Sequence, residues 1–153
     1  MDGLGLRHQS VFCFVPYLQA RQHTSRKDRM SQKTVLSVGQ CAPDHAALSQ
    51  FLAQHFGVQI LTADLPAETL EILRSRTVDL VLINRKLDVD YSEGMDILRA
   101  VKDDPELAST PIMIVSNFED AQQAAVAAGA VYGIGKAELT SQAARDRVAA
   151  VLS

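Results

Sequence analysis

The run Val78-Asp79-Leu80-Val81-Leu82-Ile83-Asn84 constrains this chain more than any other feature. Leu80 to Ile83 are consecutive bulky apolar residues, Val81 and Ile83 β-branched, with no polar alternation. Such a run reads as a strand covered on both faces, the habit of a central strand in a parallel sheet. In open parallel α/β sheets the working groups lie just beyond the carboxyl ends of the strands. Asn84 stands at that end, so its side chain decides what chemistry the sheet can host.

The rest of the chain from Thr34 alternates in the same manner. Thr34–Val38, Val58–Leu61, Pro111–Val115 and Val131–Ile134 read as further short strands. Between them, apolar residues recur at helical spacing. Asp44 is placed to cap a first helix carrying Ala47, Leu48, Phe51, Leu52 and Phe56, stopped by Gly57. Pro66 suits the first turn of a second, which turns Leu70 and Leu73 inward and ends near Arg76. Met95–Val101 forms a third, Glu119–Ala128 an alanine-rich fourth closed by Gly129, and Thr140–Leu152 a fifth. Five β/α units joined by short connections imply an α/β protein with a doubly wound, five-stranded parallel sheet and helices on both faces.

Charge separates the chain into two parts. Residues 1–33 hold six Lys/Arg against two acidic residues, a charge of +4, while the remainder carries -7. An acidic domain lacks the clustered cations that nucleic-acid binding needs. Two cysteines, Cys13 and Cys41, cannot form a disulfide framework, which suits a cytoplasmic protein. Val11–Leu18 faintly resembles a signal-peptide core but is short and broken by Pro16, and no stretch reaches the length that spans a bilayer. Gln19–Arg29 is polar, basic and aperiodic and is expected to be disordered. Residues 1–33 are therefore read as a disordered or non-native extension, with translation starting naturally at Met30, and residues 34–152 as the folded domain.

Several loops converge at the strand ends: Gly39-Gln40, Asn84, Ser116-Asn117 and Lys136. With VDLVLIN, the helix opening at Gly94-Met95-Asp96-Ile97-Leu98, then PIMIVS, AAGA and GK in this order, residues 34–152 resemble the receiver domain of bacterial two-component response regulators, of flavodoxin-like (βα)5 fold. The spacing agrees, given a two-residue insertion after Asn84 and a two-residue shortening after Ser116. The resemblance implies a phosphoryl-accepting aspartate at the end of the third strand and an acidic pair after the first that binds Mg²⁺. It also implies a Ser or Thr after the fourth strand and a Lys after the fifth that contact phosphoryl oxygens. Ser116 and Lys136 match. Asn84 takes the place of the acceptor, and Gly39 and Gln40 take the places of the acidic pair.

The substitutions remove the chemistry. An aspartyl phosphate needs a carboxylate nucleophile, and the Asn84 amide is a poor one. Mg²⁺ prefers anionic oxygens, and this pocket offers only the charge of Lys136. Loss of Mg²⁺ binding is expected, and no other cofactor. The family's inward-swinging aromatic, three residues before the Lys, is Gly133 here. Tyr132 lies one place earlier, on the opposite strand face. Ala137 replaces the proline that usually follows the Lys.

Lys136 remains open to three roles: a donor to the Asn84 amide oxygen, an anion ligand, or a solvated strand-end lysine. Ser116 is expected to cap the helix after it. Asp88-x-Asp90-x-x-Glu93 lacks the glycine of a calcium loop, Gly135-Lys136 lacks the rest of a phosphate loop, and the four histidines show no metal spacing. No oxyanion-hole motif or nucleophile elbow accompanies Ser116 and Lys136. The reading from sequence is a non-enzymatic pseudo-receiver, with no output domain after Ser153, that acts by protein–protein interaction. Its partner would be a histidine kinase or another signalling protein, with no nucleic acid or membrane, and the chain would be a monomer or weak homodimer. The resemblance puts the partner surface on the fourth helix, fifth strand and fifth helix, through Gln122, Gln123, Tyr132 and Arg145. Its alternatives are an active receiver using Asp88 or Ser116 as acceptor, and a small anion-binding or enzymatic flavodoxin-like domain.

Overall fold

A computed structural model describes residues 32–153; the expectations for Val11–Leu18, Gln19–Arg29 and Met30 lie outside the described residues. Four parallel strands form one sheet in the order β2-β1-β3-β4: β1 (Thr34–Val38), β2 (Gln59–Ala63), β3 (Leu80–Asn84) and β4 (Ile112–Val115). Every residue of β3 is buried, as its unbroken apolar run requires. The other connected elements are α1 (Ala42–His55), α2 (Pro66–Ser75), α3 (Gly94–Asp103), α4 (Glu119–Ala127) and α5 (Gln142–Leu152).

The period of two along the strands sorts the core into two layers. Leu36, Val38, Val81, Ile83, Ile112 and Ile114 face α2, α3 and α4, meeting Leu73, Ile97, Leu98, Val101 and Ala125. Val35, Leu80, Leu82, Met113 and Val115 face α1 and α5, meeting Leu48, Phe51, Leu52, Ala144 and Val148. Fully burying each of these larger side chains contributes about 1.5–3 kcal/mol. Both faces being covered, the sheet exposes its strand ends, and function is left to the loops there.

Four sequence expectations change. Residues 131–134 do not form a fifth strand; they reach β4 only through a Val115–Ile134 parallel bridge and two flanking bonds, Val131 N–H to Ile112 O (2.8 Å) and Ser116 N–H to Ile134 O (3.1 Å). The reason is local. The Gln122 side chain inserts between the two segments, donating to Ile114 O (2.9 Å) and Ser116 O (3.1 Å) and accepting from Gly133 N–H (2.8 Å). An amide thus takes over bonds that a backbone ladder would make. Asp44 does not cap α1: the helix begins earlier, with Cys41 at its N-cap and a proline in its first turn. At α5 the cap is Ser141, whose Oγ accepts from Ala144 N–H at 3.1 Å, and Thr140 lies outside the helix. Ala47 is exposed on α1 rather than part of its buried stripe.

Candidate functional site

At the carboxyl ends of β1 and β3 the structure brings Asn84 against Gly39: Asn84 Nδ2 donates to Gly39 O at 3.1 Å. Gly39 holds φ +71°, where a side chain is strained. A Cβ added there would come within 2.4 Å of Leu87 Cγ. Leu87 is wholly buried and packs with Leu36, Val38 and Ala63 in the core, although its neighbours Lys86 and Asp88 are exposed. Asp88 N–H also donates to Gly39 O (3.1 Å), drawing the loop after β3 down onto the end of β1. The space beside position 39 is therefore filled by hydrocarbon. Gln40 turns back on its own strand, Nε2 donating to Val38 O at 3.3 Å, and its buried Oε1 has no partner among the described residues.

On the other side of Asn84 the site stays polar. A cleft of about 200 Å³ is lined by Asn84, Arg85, Lys86, Val115, Ser116, Asn117, Phe118 and Lys136. Arg85 stacks on the exposed Phe118 ring, 5.4 Å from its centroid. Ser116 does not cap α4; its Oγ accepts from Phe118 N–H at 3.1 Å and shapes the turn before the helix. Lys136 makes an ion pair with Asp44 Oδ2 at 2.5 Å, across to the first turn of α1. The hydrogen bond from Lys136 holds the Asp44 carboxyl below the ordinary carboxylate range, against the opposing effect of burial. None of the three roles left open for Lys136 anticipates this pairing.

Of the expected partner face, Gln123, Tyr132 and Arg145 are at least partly accessible, and Gln122 is not. Gln122 is 3% exposed with both amide atoms committed to β4 and Gly133, so it has no surface to offer a partner. Gln123 donates to Glu119 (3.2 Å), Arg145 to Gln142 Oε1 (2.7 Å), and the Tyr132 hydroxyl to Glu119. That last bond stabilises the neutral phenol and raises the Tyr132 pKa. The Arg147 guanidinium lies 4.7 Å from the Tyr132 ring centroid and bonds Glu138 at 2.5 Å. Gly133 leaves no room for the family aromatic: a Cβ there would meet Ile114 O at 2.2 Å.

Leu87, Asp44, Glu119 and Arg147 are the residues that sequence reasoning missed. Only Leu87 carries a signal, an apolar residue that shares the Arg85–Asp90 loop with Val89 and four charged residues. Among the described residues no group of three His, Cys, Asp or Glu side chains could hold a metal ion, and no helix is long and apolar enough to cross a membrane.

Comparison with known proteins gives a consistent picture. The family model of the response regulator receiver domain matches residues 42–145. The signal receiver domain of a DNA binding response regulator from Colwellia psychrerythraea 34H superposes with a TM-score of 0.66 at 22% identity, covering 79% of this chain and 98% of that one. The chemotaxis response regulator CheY4 of Vibrio cholerae gives 0.59 at 21%, covering 74% and 98%. The phosphorylated cyanobacterial phytochrome response regulator RcpA gives 0.62 at 20%, covering 80% and 95%. These likenesses establish the flavodoxin-like receiver fold. No curated protein matches the chain.

Proposed function

The chain belongs to the response regulator receiver domain family, and from that premise we propose that it signals by protein–protein contact without accepting a phosphoryl group. Receiver domains are signalling modules of two-component systems that meet other signalling proteins, histidine kinases among them. The observation that carries the proposal is Leu87 filling the space beside Gly39. An acidic residue at position 39 would have to displace a buried side chain, so packing as well as residue type speaks against a carboxylate there. Asn84 then supplies a neutral amide already bonded to Gly39 O. This donor set does not fit Mg²⁺, which gives up its waters reluctantly and binds through carboxylates. On this reading the nucleophile and the metal-binding carboxylates are lost together.

Incubation with acetyl phosphate and Mg²⁺ tests the proposal, read by intact mass. The protein should remain unmodified, and so should Asn84→Asp. A stable added phosphate on the natural chain would overturn the reading. Phosphate appearing only on Asn84→Asp would show that the hydrocarbon beside Gly39 does not prevent metal-assisted transfer.

A second reading is favoured by one observation: Arg85, Lys86 and Lys136 line the cleft and no carboxylate does. The cleft could then take an anion noncovalently. A sulfate-dependent rise in melting temperature, lost in Arg85→Ala, would support it.

A further inference from the structure

The loop between β3 and α3 is a closed β-hairpin. Lys86 and Glu93 face each other across an antiparallel bridge and pair at 3.6 Å. Leu87 N–H donates to Ser92 O (2.9 Å), and Tyr91 N–H donates to Leu87 O (3.0 Å). Ser92 donates to Asp90 Oδ1 from its N–H, at 3.0 Å, and from its hydroxyl. Leu87 roots the inner side of this hairpin in the core. Its tip does the opposite: Val89 is 58% exposed and Tyr91 72% exposed.

Tyr91 is the only non-glycine residue with positive φ among the described residues, at +60°. A bulky side chain is disfavoured there, and glycine or asparagine would turn the chain with less strain. The Tyr91 ring has no aromatic, cationic or hydrogen-bonded partner among the described residues. The hairpin thus carries a large amphipathic ring that strains the turn and contributes nothing visible to the fold. Tyrosine at a rigid, exposed position is a recurrent anchor of protein interfaces.

We propose that the hairpin tip, Val89 and Tyr91 flanked by Asp88 and Asp90, is the anchor by which this domain docks onto a protein partner presenting an apolar socket rimmed by Lys or Arg. This rests on the reading of the domain as a protein-binding module and moves the contact from the α4–α5 side to the strand ends.

Charge selects the occupant. Neither Asp88 nor Asp90 has an ion pair among the described residues. The Ser92 hydroxyl and N–H keep the Asp90 carboxyl below its ordinary range, so it presents a fixed negative charge. A second copy is the wrong occupant, because a two-fold contact through the tip would oppose Asp88 and Asp90 to their own images. At the hairpin base Arg85 stacks on a second exposed ring, Phe118.

The test places p-benzoylphenylalanine at position 91 and, in separate chains, at 132 and 145, with irradiation in the native cells. The protein captured at 91 is then purified and titrated against the unmodified full chain and its variants. Tyr91→Gly should weaken binding at least tenfold while melting no lower than the natural chain, because glycine relaxes the turn. Asp88→Asn with Asp90→Asn should weaken binding and flatten its salt dependence. Unchanged affinity in Tyr91→Gly, or a fall of several degrees in its melting temperature, would overturn the anchor. Capture at 132 or 145 but not at 91 would overturn it and leave the protein-contact reading standing. Capture at no position would overturn both.

Discussion

On the proposed pseudo-receiver reading, the two sides of Asn84 depart from the family pattern in different ways. Toward β1, the space beside position 39 is filled: Gly39 in a left-handed turn, Leu87 packed against it, and Asp88 N–H tying the loop down. Toward β4, the matching Ser116 and Lys136 are still present but bound within the chain, to Phe118 N–H and to Asp44. One side has lost its space and the other has lost only its availability. Hydrocarbon packing is dense and resists reversal, whereas a half-exposed ion pair can exchange partners at small cost. The difference gives each side its own scale of response to mutation.

The largest effect should come from returning a carboxylate to the filled side. Gly39→Asp places a Cβ against Leu87 Cγ and keeps a side chain at positive φ. Overpacking together with the left-handed backbone should cost about 2–4 kcal/mol, read by urea denaturation. Packing against Leu87 is separable from the backbone cost by a double-mutant cycle. In a Leu87→Ala background the cost of Gly39→Asp should fall by at least about 1 kcal/mol. Equal costs in both backgrounds would show that the turn alone, and not the leucine, closes this side.

Gln122→Ala comes next. It strips partners from Ile114 O, Ser116 O and Gly133 N–H at a buried position, which should cost about 2–3 kcal/mol. Gln122 shares no hydrogen-bond partner with Gly39. The losses in Gly39→Asp and Gln122→Ala should therefore add to within about 0.5 kcal/mol. A larger coupling would break the division of the site into two independent sides.

How far the sequence could reach follows the same division. The β3 run and the alternation of elements were legible because apolar period is a local property. The absent carboxylates were equally plain. What fills their place was not, since Leu87 sits in a charged loop and meets Gly39 only through folding. The fifth strand failed for a related reason. Val131–Ile134 has suitable residues, but a glutamine eight residues beyond Ile114 claims the bonds they would make. Gln122 lies three positions before the buried Ala125 on α4, so helical spacing alone could have turned it inward; its polarity suggested the surface instead.

The smallest effect belongs to the side that keeps its polar groups. Asp44 and Lys136 are both partly exposed, so Asp44→Asn should cost only about 0.2–1 kcal/mol. Its dependence on pH has a definite sign. Because the folded carboxyl lies below its ordinary value of 3.8, the stabilisation is complete above that value and is lost as pH falls through the lower folded value. Urea midpoints of the natural chain and Asp44→Asn should thus differ near neutrality and converge in strong acid. High salt should narrow the gap at neutral pH, since exposed charges are screened. The same variant also releases the Lys136 ammonium beside the cleft shared with Arg85 and Lys86. A larger sulfate-dependent rise in melting temperature in Asp44→Asn than in the natural chain would show that Asp44 alone withholds this lysine from the cleft. An equal response would mean that the pocket's last matching cation is held out of use by more than its ion pair.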